Sequence, residues 1–115
     1  MGSNHNKIQS VLDDFIDEAK SIYGRDLRKV ILFGSYARNE QKPDADIDLI
    51  AIVRMSKAEL AEYDQELKDA SQEITSFYSI KVHPRALAEE EYEHGKDKLS
   101  LYQEIHSDGK ILYTA

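Results

Sequence analysis

Residues 30–52 read V-I-L-F-G-S-Y-A-R-N-E-Q-K-P-D-A-D-I-D-L-I-A-I, and the fold turns on this stretch. The apolar run Val30–Phe33 stops at Gly34-Ser35, a polar segment follows, and Asp46-Ile47-Asp48 then leads a second apolar run, Leu49–Val53. Short apolar runs bounded by turn residues indicate buried strands. The pattern therefore predicts a strand over Leu27–Phe33, a Gly-Ser turn, a short helix from Ser35 to about Glu40, and a second strand over Asp46–Arg54. Lys42-Pro43-Asp44 marks the break, because proline biases its predecessor away from helical geometry.

The chemistry of this stretch lies at its two ends. Residues two apart on a strand share a face, about 6.6 Å apart along it, so Asp46 and Asp48 present two neighbouring carboxylates. These repel each other unless a cation lies between them. Hard oxygen ligands of this kind suit Mg²⁺, which keeps water in its shell and completes it with substrate phosphates. Two such ions activate an attacking oxygen and neutralise a leaving pyrophosphate. Gly34 lets the backbone approach a ligand closely. The start of the following helix offers unpaired N–H groups and a positive dipole end, and the Ser35 hydroxyl adds a donor. Arg38, one turn further on, is placed for phosphate charge or a partner surface. Tyr36 either lines the pocket or packs inward, and Asp44 is a helper or a turn residue. Each part has an ordinary explanation by itself: a polar strand edge, a tight turn, a surface arginine. Their combination is more specific than its parts.

Working outward, Ile8, Val11, Leu12, Phe15, Ile16, Ala19, Ile22 and Tyr23 recur at helical spacing, with Asp13, Asp14, Asp17 and Glu18 opposite. This is an amphipathic packing helix stopped by Gly24. Residues 1–6 are expected to be a disordered N-terminus, with Met1-Gly2-Ser3 resembling an expression-vector scar, and 7–115 a single domain. Ser56 and Glu59 match a capping box opening a long helix to about Ser76. Tyr78–Pro84 alternates as a third strand, with Ser79, Lys81 and His83 on one face. Residues 85–94 read as loop with a short helix, Glu89–Glu91 as a solvated face, Leu99–His106 as a last helix closed by Gly109, and Ile111-Leu112-Tyr113 as an extended tail.

The totals agree. With 115 residues, 41% of them apolar, the chain is one domain able to bury roughly 65% of its unfolded surface. The net charge of −7 argues against a duplex-DNA or RNA binder, which needs a basic stripe, but not against a nucleotide neutralised by a metal. There is no cysteine, which excludes disulfides and thiolate chemistry. No apolar run approaches the ~18 residues of a membrane span, and no secretory signal is visible; the default compartment is the cytoplasm.

The spacing G-S-x10-D-x-D, here Gly34-Ser35 to Asp46-Ile47-Asp48, resembles the signature of the polymerase-beta-like nucleotidyltransferase superfamily. The short chain and the closing L-Y-Q-E-I-H-S-D-G-K-I-L-Y (101–113) resemble its minimal nucleotidyltransferase (MNT) members. The resemblance implies an α/β (α+β) fold, a small mixed sheet flanked by helices. It implies Mg²⁺-dependent transfer of a nucleoside monophosphate, AMP from ATP, to a protein hydroxyl by the antitoxin of a HEPN–MNT toxin–antitoxin pair. Gly34, Ser35 and Arg38 would then bind the nucleotide, and Asp46 and Asp48 would be the catalytic metal ligands. The family also places a third carboxylate on the next strand. Here that strand carries Lys81 and His83 and no acid. The alternative is an MNT-fold binding module that neutralises a HEPN partner by contact, with weak or no transfer.

Overall fold

Period-two burial builds the sheet. A computed structural model of the chain describes residues 3–38, 45–96 and 99–115, with side chains from Lys7 onward. Its strands are β1 (Leu27–Phe33), β2 (Ile47–Val53), β3 (Val82–Ala88) and β4 (Lys110–Thr114), in the spatial order β3-β2-β1-β4. β1 is antiparallel to β2 and β4, and β2 is parallel to β3. This is the mixed sheet that the family resemblance implies.

β2 divides its residues between two cores. Ile47, Leu49, Ala51 and Val53 join Val30 and Leu32 of β1 beneath two long helices, α1 (Ser3–Tyr23) and α2 (Lys57–Tyr78). These contribute Val11, Phe15, Ala19, Leu60, Leu67 and Ile74. Ile50 and Ile52 point the other way, with Ile31, beneath α3 (Glu89–Gly95) and α4 (Ser100–Asp108), which supply Tyr92 and Ile105. α2 opens as the sequence predicts: the Ser56 side chain accepts from the Glu59 N–H at 3.1 Å, and Glu59 accepts from the Ser56 N–H at 3.1 Å.

Three expectations are corrected. α1 spans Ser3–Tyr23, with no glycine or proline between Ser3 and Ile8 to interrupt it. α2 runs through Tyr78 and ends on Ser79, a left-handed residue (φ 58°) that donates its N–H to the Thr75 carbonyl at 2.8 Å. The third strand consequently starts at Val82, not Tyr78, and runs through Pro84 to Ala88. Proline is tolerated because β3 is an edge strand, where one row of N–H groups has no ladder partner. Finally, Gly34–Tyr36 is one 3₁₀ turn followed by a turn at Ala37-Arg38, not an α-helix. The expected helix end at Glu40, the Lys42-Pro43 break and Asp44 lie outside the described residues.

Glu89 and Glu91 are likewise more than a solvated face. Arg28 Nε lies 3.3 Å from Glu89 Oε2 and Lys57 Nζ 3.5 Å from Glu91 Oε1, while Lys29 reaches Glu93 at 3.8 Å. Short α3 is thus tied to β1 and to the first turn of α2 by charge as well as by Tyr92. Among the described residues no helix is long and apolar enough to cross a membrane.

Candidate active site

Asp48 is the pivot of the site. The register sets it opposite Phe33 on β1 and opposite His83 on β3. Gly34 follows Phe33 directly, so the turn that ends β1 lies against the start of β2. The fit is close: a Cβ on Gly34 would stand 2.4 Å from Asp48 Oδ2, inside van der Waals contact. Gly34 also has φ +77°, a conformation that costs other L-residues roughly 1–2 kcal/mol. Both facts favour glycine here, and together they put bare backbone beside a carboxylate.

The turn is anchored from below. The N–H groups of Ala37 and Arg38 donate to the Gly34 carbonyl at 3.1 and 3.2 Å. Ala37 is buried in the larger core and Tyr36 packs half-buried against it. Ser35 is half-buried and Arg38 exposed at the outer end of the turn. Among the described residues the segment after β1 opens as a 3₁₀ turn rather than an α-helix, and it offers close backbone approach and the free N–H groups that open any helical turn.

Asp46 is half-buried and precedes β2 by one residue. The Ile47 N–H donates to the Lys81 carbonyl at 2.9 Å, so pairing with the neighbouring chain already holds the backbone between the two aspartates. Along such an extended segment Asp46 and Asp48 share a face. The donor set is therefore two carboxylates. Among the described residues no three His, Asp or Glu side chains group as metal ligands. This pair fits Mg²⁺, which takes one or two carboxylates and draws its other ligands from water and phosphate, better than a metal that needs an all-protein cage.

Lys81 and His83 part company. Lys81 precedes β3 and is exposed; its contribution to the local structure is its carbonyl. His83 stands on the site face, with Nδ1 3.3 Å from Asp48 Oδ1. The sequence missed Arg85, which is exposed on the same face of β3, two residues beyond His83 and opposite Ile50. The reading of β3 stopped at Pro84, so Arg85 fell into a loop. The alternation His83, Arg85, Leu87 was the signal that could have found it.

A hollow of 1280 Å³ lies away from this site. It lies at the far end of β2 and β3, lined by Arg54, Lys57, Glu89, Glu91, Glu93 and Tyr102. Its glutamates oppose a polyphosphate, so the geometry around Asp48 carries the argument.

Known proteins resemble this chain in sequence and in fold. The family profile described as "Nucleotidyltransferase domain" matches residues 12–111. MJ1305 of Methanocaldococcus jannaschii, named as a putative protein adenylyltransferase, is 32% identical over 77 residues, which are 67% of this chain and 52% of that protein. MJ0604 of the same organism, named likewise, is 25% identical over 91% of this chain and 97% of its own length. The chain thus spans about half of the first relative and nearly all of the second. A crystal structure of a toxin-antitoxin with AMP-PNP contains a chain that superposes with a TM-score of 0.56 at 23% identity, over 97% of this chain and 74% of that one; at that identity the likeness is one of fold. With the Gly-Ser turn, the two aspartates and strands β1 to β3 all inside the matched span, the chain belongs to the nucleotidyltransferase domain family.

Proposed function

We propose that this protein transfers AMP from ATP to a hydroxyl of a partner protein in a Mg²⁺-dependent reaction, as the antitoxin of a HEPN–MNT pair in the cytoplasm. Residues 7–115 act as one transferase domain. The observation that carries this reading is the glycine backbone pressed against Asp48, a space that a Cβ would fill. The relatives named as protein adenylyltransferases and the toxin-antitoxin solved with AMP-PNP support the choice of nucleotide and acceptor.

Asp46 and Asp48 hold the metal side of the triphosphate, and Gly34-Ser35 let the phosphates approach the backbone. Arg38 adds positive charge at the outer end of the turn. When bound, Mg²⁺ supplies charge neutralisation of the phosphates. The acceptor oxygen forms a bond to the α-phosphorus as the bond to pyrophosphate breaks; pyrophosphate leaves, and the hydroxyl proton passes to solvent. Labelled ATP, Mg²⁺ and the protein encoded by the neighbouring gene test this. Label should appear on that protein and disappear with Asp46→Ala or Asp48→Ala.

One observation favours a second reading. His83 occupies the third-strand position opposite Asp48 and engages its Oδ1, where the resemblance leads one to expect an acid. A binding module without transfer would give a tight complex with no label, unaffected by either aspartate substitution.

A further inference from the structure

Phe77 is 80% exposed, more than any other large apolar side chain among the described residues. It is also braced. Its ring meets Tyr78 edge-on, with centroids 4.8 Å apart and planes at 81°, and the Tyr78 hydroxyl donates to Asp14 Oδ2 of α1 at 2.6 Å. The ring is thus held outward before any partner arrives, which reduces the ordering cost of binding. Hollows of 680 and 420 Å³ flank it. The first is lined by Asp69 and Glu73, the second by Asp14, Asp17, Glu18 and again Glu73, and neither contains a lysine or arginine.

An aromatic face ringed by carboxylates suits one chemistry: a lysine or arginine side chain stacked on the ring, its charge met by the acids. The same acids repel nucleic acid and anionic lipid. The position also matters. Phe77 precedes by four residues Lys81, whose carbonyl accepts from the Ile47 N–H between the two site aspartates. A protein seated on Phe77 therefore lies toward the same end of the sheet as Asp46, Asp48 and Gly34, over the opposite face. We infer that the α1–α2 surface centred on Phe77 is the docking surface for a basic segment of the partner protein, holding that protein at the end of the sheet that carries the transfer site. This rests on the partner reading above and names the surface it uses.

The test titrates the neighbouring-gene protein into the wild-type chain and into Phe77→Ala, Phe77→Leu and Glu73→Lys by calorimetry. Melting temperature and binding of a fluorescent ATP analogue are measured alongside. Phe77→Ala and Glu73→Lys should each weaken the complex by about tenfold or more, as loss of a central aromatic or charge contact does. Phe77→Leu should fall between, because it keeps apolar area and loses the ring face. Melting and nucleotide binding should stay at wild-type values, since both positions are exposed and outside the site. Affinity for Phe77→Ala within about twofold of wild type, a difference of only ~0.4 kcal/mol, would overturn the inference alone. No complex with the wild-type chain would overturn the partner reading together with it.

Discussion

The two faces of the sheet solve different problems. Under α1 and α2 lies a continuous apolar core in which Ile47, Leu49, Ala51 and Val53 are all fully buried. Under α3 and α4 the core is small, built on Ile31, Ile50, Ile52, Tyr92 and Ile105. Beyond it, at the start of β2, that face is left to Asp48 and His83. Because side chains alternate along a strand, β2 alone serves both faces: one set of residues holds the fold, and the other begins in chemistry and ends in a modest core. A large core on one face leaves part of the other free to gather carboxylates that contribute little to stability.

Neighbouring residues of β2 test this division most sharply. Leu49→Ala opens a cavity in the larger core and should cost about 2–5 kcal/mol, read as a lowered denaturant midpoint. Asp48→Ala, one residue away, should abolish transfer while changing stability by less than ~1 kcal/mol, or even raise it, since it relieves repulsion from Asp46. If Asp48→Ala unfolded the protein as severely as Leu49→Ala, the division between faces would fail. Gly34→Ala comes next. Its unfavourable φ and the clash with Asp48 Oδ2 should cost about 1–3 kcal/mol and suppress transfer. Most of the clash vanishes without the carboxylate, so the double variant Gly34→Ala/Asp48→Ala should be less destabilised than the sum of the singles. Strict additivity would show that the glycine serves only the turn.

Much of this was legible beforehand. β1 has the predicted limits, Leu27–Phe33, and the Ser56–Glu59 capping box forms as the spacing requires. Gly34 against Asp48 was foreshadowed by a glycine ending one strand shortly before acids begin the next. What misled were positions where tertiary structure overrode local pattern. Tyr78-x-Ile80-x-Val82 alternates like a strand, yet Tyr78 stays helical because it lies four residues after buried Ile74 and its hydroxyl reaches Asp14. The helix then ends on a left-handed serine, a stop that lacks the usual glycine signal. Pro84 ends a strand in most contexts, but not on an edge, and edge position is a fact of topology. Those two misreadings together displaced β3 and hid Arg85.

The larger core carries a flaw that can be put right. The Tyr23 side chain is buried, and its hydroxyl has no hydrogen-bond partner among the described residues. Burial, with Asp64 and Glu66 nearby, pushes its pKa up to about 12. Tyr23→Phe keeps the edge contact with Tyr63 at 5.9 Å and removes the orphaned group, so stability at neutral pH should hold or rise by up to ~1 kcal/mol. The pH dependence has a definite sign. Folding favours the neutral phenol, so the stability this group contributes is complete below its unfolded pKa near 10 and is lost as pH rises toward about 12. The advantage of the phenylalanine variant should therefore widen across that interval in alkaline unfolding curves. A variant clearly less stable at pH 7 would mean that the hydroxyl is satisfied.

On the smaller face the corresponding test is electrostatic, and its effect is the smallest. Glu93 of α3 accepts from Lys96 Nζ at 2.8 Å and faces Lys29 of β1 at 3.8 Å. The hydrogen bond from Lys96, with the charges of both lysines, lowers its pKa, partly offset by burial. Its side chain is 39% exposed, so solvent screening holds the contribution below ~1 kcal/mol. A depressed carboxylate stabilises the fold above its unfolded pKa, near 4.3, and that stability is lost as pH falls through the lower folded value. Glu93→Gln should therefore be a few tenths of a kcal/mol less stable at pH 7, with the gap closing in acid and in high salt. Seven-residue α3 covers its share of the smaller core with one buried large side chain, Tyr92, and depends on such pairs to stay on β1. The loss should thus appear first as faster amide exchange within α3, while exchange in α1 and α2 stays unchanged. Uniform acceleration across both faces would mean that the smaller core is not a separately yielding layer.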